Sequence, residues 1–118
     1  MKEVIDCGLP VLAQPFSWVV RGGGILFTTH GPVRQDGSID TGTIEDQARL
    51  TFSNLRRAVE AAGGTLADVT QVLIYMLDIG DMQTIDAVYR VDQMTEKQML
   101  LTYLPMNEPV VAAWSDGP

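Results

Sequence analysis

One cysteine, Cys7, and one histidine, His30, stand among the 118 residues of this chain. A lone thiol forms no internal disulfide, which agrees with a reducing compartment, and one imidazole with one thiol makes no cluster of metal ligands. Cys7 therefore reads as a small buried hydrophobe rather than a nucleophile. Basic residues are also scarce: eight Lys and Arg face fifteen Asp and Glu, for a net charge of -7. Such a surface repels polyanions unless a basic patch is concentrated locally. The one adjacent basic pair, Arg56-Arg57, falls in a helical pattern, so nucleic-acid binding is disfavoured. Apolar runs such as Val72-Leu73-Ile74-Tyr75-Met76-Leu77 are far shorter than the roughly 18 residues that a membrane-crossing helix needs, and no membrane partner is expected. The amino terminus, Met1-Lys2-Glu3-Val4-Ile5-Asp6, carries two acids and no secretory-signal pattern, so a cytoplasmic protein is expected.

Against these absences, 46% of the residues are hydrophobic, enough for one modest core. A single domain over residues 1–118 is expected, with no internal repeat, low-complexity segment or linker.

The most informative stretch is Arg21-Gly22-Gly23-Gly24, set between Ser17-Trp18-Val19-Val20 and Ile25-Leu26-Phe27-Thr28-Thr29. Glycines tolerate positive φ, so a tight reversal is cheap, and the segment predicts a β-hairpin whose second strand delivers Thr28, Thr29 and His30 to its far end. Residues 34–42 are dense in turn formers and predict an exposed loop. Thr43 then opens a helix, its hydroxyl placed to accept from the backbone of Asp46. Glu45 and Asp46 suit the positive end of the helix dipole. Ala48, Phe52, Leu55, Val59 and Ala62 recur at helical spacing, and Gly63-Gly64 supplies a left-handed stop.

Val72 to Leu77 predicts a strand of a sheet covered by helices. A second helix is expected from about Met82 to Arg90, with Asp81 as its cap and Met82, Ile85, Val88 and Tyr89 on one side. Crossover lengths suit parallel pairing across each helix, which makes an α+β sandwich, one sheet with two helices on one face. The opposite sheet face holds Trp18, Val20 and Phe27. A bare apolar face of that size marks a subunit contact, so a homo-oligomer is expected. Thr95 to Gln98 fits a capping box, while Met99 to Leu104 suits a helix or a strand equally.

Taken jointly, the hairpin with Thr28-Thr29-His30-Gly31-Pro32, the helix around Gln47-Ala48-Arg49-Leu50-Thr51-Phe52-Ser53-Asn54-Leu55, its end at Glu60-Ala61-Ala62-Gly63-Gly64, and the stretch from Leu66 to Asp78 with Met82 to Tyr89 resemble the Rid (reactive intermediate deaminase), or YjgF-like, family. The match covers roughly residues 8 to 90. The resemblance implies a chorismate-mutase-like α+β fold, assembled as a barrel-like homotrimer with ligand clefts between subunits. It further implies hydrolysis of reactive enamines and imines, such as 2-aminoacrylate, to 2-oxo acids and ammonia, without a metal or organic cofactor.

Carried over residue by residue, the resemblance implies His30 and Thr29 as catalytic residues and Phe16, Thr28, Asp86 and Tyr89 as substrate-binding ones. Phe16 stands where the family often has tyrosine, and Thr28-Thr29-His30 where the deaminases usually read Ser-Gly-Gln. Asp86 stands where many members have asparagine. The arginine that clamps the substrate carboxylate in active deaminases has no match; counting back from Leu104-Pro105 puts Glu96 near its position, with Lys97 beside it. Arg21, Arg34 and Lys97 are the substitute anchors to test.

Each of these residues also has a purely structural reading. His30 titrates near neutrality and can move protons, yet a histidine at a strand end is often simply satisfied by its neighbours. Threonine is a good strand residue, Phe16 a packing ring, Asp86 a solvated acid and Tyr89 a core or interface aromatic. Two functions from different classes remain open: an imine or enamine deaminase, and a catalytically silent binding or regulatory homotrimer that keeps the cleft without the chemistry.

Overall fold

A computed structural model describes residues 2–13, 15–91 and 99–105, the last seven and Val91 by their backbone. It divides into two compact units, Met1–Leu66 and Ala67–Pro118.

The first unit is built on the expected hairpin. Strand β1 (Glu3–Val4) pairs antiparallel with β2 (Val19–Gly22), which pairs antiparallel with β3 (Ile25–Thr28). Gly22 faces Ile25 across a two-residue turn, and both turn residues lie at positive φ, Gly23 at 58° and Gly24 at 79°. That geometry matches the right-handed twist of the strands, and it is costly for any residue with a Cβ. The short strand β1 carries no periodic signal in the sequence; it exists because β2 presents a free edge.

Helix α1 (Ile44–Ala61) begins as the sequence predicts: the Thr43 hydroxyl accepts from the Asp46 amide at 3.1 Å. It ends at Gly63, φ 92°, where the Gly64 amide donates to the Val59 carbonyl at 3.0 Å. Ala48, Phe52 and Val59 are buried as expected. The stripe is rotated, however, because Asn54 and Ala58 are buried with them, while Leu55 and Ala62 are half-exposed. Cys7, Leu9, Val19 and Ala58 form a buried cluster against which Ile5, Trp18 and Leu26 pack. Cys7 is thus a core side chain. Trp18, expected on the opposite face, leans onto this cluster instead. Val20 and Phe27 do share the other face, in register with Val4, and Phe27 is 59% exposed.

The loop at 34–42 is more ordered than its composition suggests. Val33 bridges to Ile39, and the Arg34 amide donates to the Ser38 carbonyl at 2.8 Å around Gly37.

The second unit is a strand, helix and strand. Strand β4 (Gln71–Met76) and β5 (Met99–Pro105) are parallel across α2 (Met82–Val91), which settles Met99 to Leu104 as a strand and bears out the crossover prediction for this helix. The register shifts between Val72 and Leu73. Along β4 exposure alternates: Leu73 and Tyr75 face outward while Met76 is buried. Ile85, Val88 and Tyr89 form the buried side of α2, as predicted. The capping carboxylate is Asp78 rather than Asp81. It accepts from the Gly80 amide at 2.8 Å and opens a single helical turn, Ile79–Asp81, that runs into α2. The Thr95–Gln98 helix start, Glu96 and Lys97 lie outside the described residues.

Candidate functional site

Strand β3 ends at Thr28, and the register of the hairpin dictates what surrounds it. Val19 faces Thr28, so Trp18 stands opposite the next residue. The Trp18 carbonyl receives the Thr29 amide at 3.3 Å and the Thr28 hydroxyl at 3.0 Å. The backbone and one hydroxyl of the Thr28-Thr29 pair are therefore committed to the hairpin. The Thr29 hydroxyl is exposed and has no partner among the described residues.

His30 is half-buried, and its Nε2 is hydrogen-bonded to the Thr28 hydroxyl. A hydroxyl has one proton, and that of Thr28 goes to the Trp18 carbonyl. Nε2–H of His30 must then be the donor to Thr28, which leaves Nδ1 as a bare lone pair. Nδ1 is shielded from solvent and finds no hydrogen-bond partner among the described residues. Burial disfavours the imidazolium and lowers the His30 pKa from 6.5 to about 4. At neutral pH His30 is an uncharged acceptor, with Nδ1 as its open valence.

The rings around it are ordered. Phe16, 42% exposed, meets Trp18 edge to face with centroids 4.6 Å apart, and Trp18 stacks on His30. Trp18 thus joins the candidate site, although its sequence pattern places it on a subunit-contact face. The two-glycine turn carried the signal, because its register continued by one step places residue 18 beside 29.

Asp86 and Tyr89 lie in the second unit on α2. The Asp86 carboxylate is half-buried and accepts from Arg90 Nε at 3.2 Å, an ion pair one helical turn apart. Tyr89 is buried at 6% exposure, and burial together with the negative charge of Asp86 raises its pKa. The structure thus brings Phe16, Thr28, Thr29 and His30 together in one unit and holds Asp86 and Tyr89 in the other.

Of the substitute anchors, Arg21 donates to the Ala62 carbonyl at 2.7 Å and pairs with Glu3 at 3.4 Å. Arg34 binds Ser38 Oγ and the Ile39 carbonyl and lies 3.6 Å from Asp40. Both cations are engaged locally, Arg21 at the negative end of α1 and Arg34 within its own loop.

Residues 9–107 match the family described as endoribonuclease L-PSP. The protein mmf2, mitochondrial, of Schizosaccharomyces pombe is 33% identical over 108 residues, which cover 92% of this chain and 76% of that one. A 2-iminobutanoate/2-iminopropanoate deaminase of Dermatophagoides farinae is 30% identical over 92 residues, covering 75% of this chain and 72% of its own. The crystal structure of E. coli TdcF with bound serine is similar at a TM-score of 0.73 and 26% identity, over 87% of this chain and 86% of that one. With the α+β hairpin-and-helix architecture and a profile match spanning most of its length, the chain belongs to the endoribonuclease L-PSP family, the YjgF/Rid family that its sequence resembles.

Proposed function

We propose that this chain is a Rid-type deaminase, one domain over residues 1–118, that hydrolyses small reactive imines or enamines of the 2-aminoacrylate kind to 2-oxo acids and ammonia. The observation that carries the reading is the neutral Thr28–His30 pair at the end of β3, with the exposed Thr29 between them in the chain. In imine hydrolysis, water adds to the carbon of the C=N bond and gives up a proton as the nitrogen gains one. The resulting carbinolamine then expels ammonia as the C=O bond forms. An imidazole with a pKa of about 4 has the base strength of a carboxylate and stays unprotonated at neutral pH, the form that accepts a proton. Its use as a base requires that ligand entry open a path to Nδ1. Thr29 orients the water, Thr28 holds the imidazole tautomer, and Phe16 packs on the ligand.

In this reading the working form is a homotrimer with ligand clefts between subunits, to which Asp86 and Tyr89 contribute, and neither metal nor organic cofactor takes part. The apolar row of Val4, Val20 and Phe27, in which Val4 and Phe27 are exposed and Val20 is half-buried, supports assembly. Serine bound to TdcF supports a small amino-acid-like ligand. A cytoplasmic site of action belongs to the same reading; given the mitochondrial name of one relative, the organelle is the other outcome of a localisation experiment. An endoribonuclease role is opposed by the net charge of -7.

The test is ammonia and 2-oxo acid formation from freshly generated 2-aminoacrylate or 2-iminopropanoate. Acceleration by micromolar protein, lost in Thr29→Val and His30→Ala, is expected. No acceleration with either substrate removes the deaminase reading. The second reading, a silent small-ligand-binding or regulatory homotrimer, draws support from the engagement of Arg21 and Arg34 with local partners, which leaves neither as a carboxylate clamp. Under it, Thr29→Ala changes ligand affinity while the parent shows no turnover.

A further inference from the structure

The segment that leaves His30 is held by a side chain that no motif singles out. Asn54, on α1, is only 3% exposed, and its Nδ2 donates to the Gly31 carbonyl at 3.1 Å and to the Val33 carbonyl at 2.9 Å. These two carbonyls lie at the ends of a tight turn centred on Pro32, in which the Val33 amide also donates to the Gly31 carbonyl at 2.8 Å. We propose that Asn54 is a positioning residue for His30, fixing the ring by clamping both ends of the Gly31–Pro32–Val33 turn. The inference rests on the reading of His30 as part of the site.

The local chemistry makes an anchor necessary. Between His30 and the first clamped carbonyl stands one residue, Gly31, which has no Cβ to restrict it and meets nothing within 4 Å where a Cβ would be. Glycine allows the peptide on either side to rotate widely. Within its own loop the turn is also tied by the Asp40 amide, which donates to the Pro32 carbonyl at 2.8 Å, and by the Val33–Ile39 bridge. What Asn54 adds is a tie from this loop to α1, and without it the loop can pivot at Gly31 against the Thr28 bond and the Trp18 stack that hold the imidazole. With the Gly31 carbonyl fixed by α1, the ring is held from both sides, and Nδ1 stays out of water.

The residue type fits the task. Two carbonyl acceptors require two donors diverging from one atom, which a primary amide supplies and neither leucine nor aspartate does. Asparagine is also a poor choice for a helix interior on propensity alone. Its place on the buried face, between Phe52 and Ala58, is explained by the turn it holds.

The chain has one histidine, so its imidazole C–H resonances in an NMR spectrum belong to His30 without further assignment. The experiment titrates them from pH 3 to 8 in the parent, Asn54→Leu and Asn54→Gln, and measures kcat and KM on 2-iminopropanoate for each. The parent midpoint is expected near 4. In Asn54→Leu, which adds no charge, it rises by at least one unit, a tenfold gain in proton affinity, as water reaches the ring. Asn54→Gln, which keeps both donors on a longer arm, falls between the two, and kcat follows the same order with KM changed less than threefold. An unshifted midpoint in a folded Asn54→Leu protein overturns the inference; should that variant not fold, an unshifted midpoint in Asn54→Gln does so. A parent without turnover but with the shift in place removes the deaminase reading and leaves the role of Asn54 standing. Turnover with no shift does the reverse.

Discussion

The imidazole of His30 lies parallel to the indole of Trp18, their planes 7° apart and their centroids 5.8 Å apart. The same tryptophan donates from Nε1 to the Pro10 carbonyl at 2.9 Å, and its own carbonyl receives both threonines of the β3 end. One residue thus ties the segment at Pro10, the hairpin and the histidine together. The burial of the ring, to which this packing contributes, is the reason it gives up its proton so readily.

A pH dependence of stability follows. The folded pKa of His30, about 4, lies below the unfolded value of 6.5, so between these pH values the unfolded chain binds more protons. The contribution is fully present above pH 6.5 and is lost as pH falls through 4. It amounts to about 3 kcal/mol at most, at roughly 1.4 kcal/mol per pKa unit. Urea unfolding at pH 7 and pH 4 should show a smaller loss in His30→Gln than in the parent; equal losses would remove His30 from the acid sensitivity.

Trp18→Leu strips the ring from both His30 and Phe16. The expected cost is about 2 kcal/mol, toward the low end for a large buried side chain because the indole is only half-buried. The His30 NMR midpoint should move up toward 6.5. A destabilised protein whose histidine still titrates near 4 would show that the stack does not set the protonation state.

Arg21 closes the C-terminal end of α1, which has no basic residue in its own last turn. Arg21→Gln should lower stability by about 1 kcal/mol, with the loss shrinking in 1 M salt if attraction to the helix dipole dominates. Glu3→Gln should cost much less, because the Arg21–Glu3 pair is exposed on both sides. A larger effect of Glu3→Gln than of Arg21→Gln would reverse this order of importance.

Phe27→Glu places a charge in the apolar row that the exposed Phe27 forms with Val4 and the half-buried Val20. If that row is covered in the proposed homotrimer, sedimentation should show the parent as a trimer and the variant as a monomer that keeps the parent's circular dichroism. A parent that sediments as a monomer at working concentrations would count against both the assembly and the shared clefts.

Much of the scaffold is written in local patterns. Gly23 and Gly24 specify the hairpin because only a two-residue reversal with positive φ at both positions joins strands of this twist so closely. Thr43, Asp46 and Gly63 mark the ends of α1 because capping is chemistry between residues a few positions apart. The joint pattern of hairpin, helix and second strand was likewise enough to place the chain in its family.

Other features depended on partners distant in the chain. Asn54 meets the Gly31–Val33 turn across more than twenty residues, Arg21 meets the end of α1 across 41, and both pairings follow from packing that no local period encodes. Whether Met99 to Leu104 became helix or strand was decided by the free edge of β4, since its apolar run satisfies either period. The neutral state of His30 is of the same kind. Composition supplies an imidazole, but its proton affinity is set by how much water the folded chain excludes from around it.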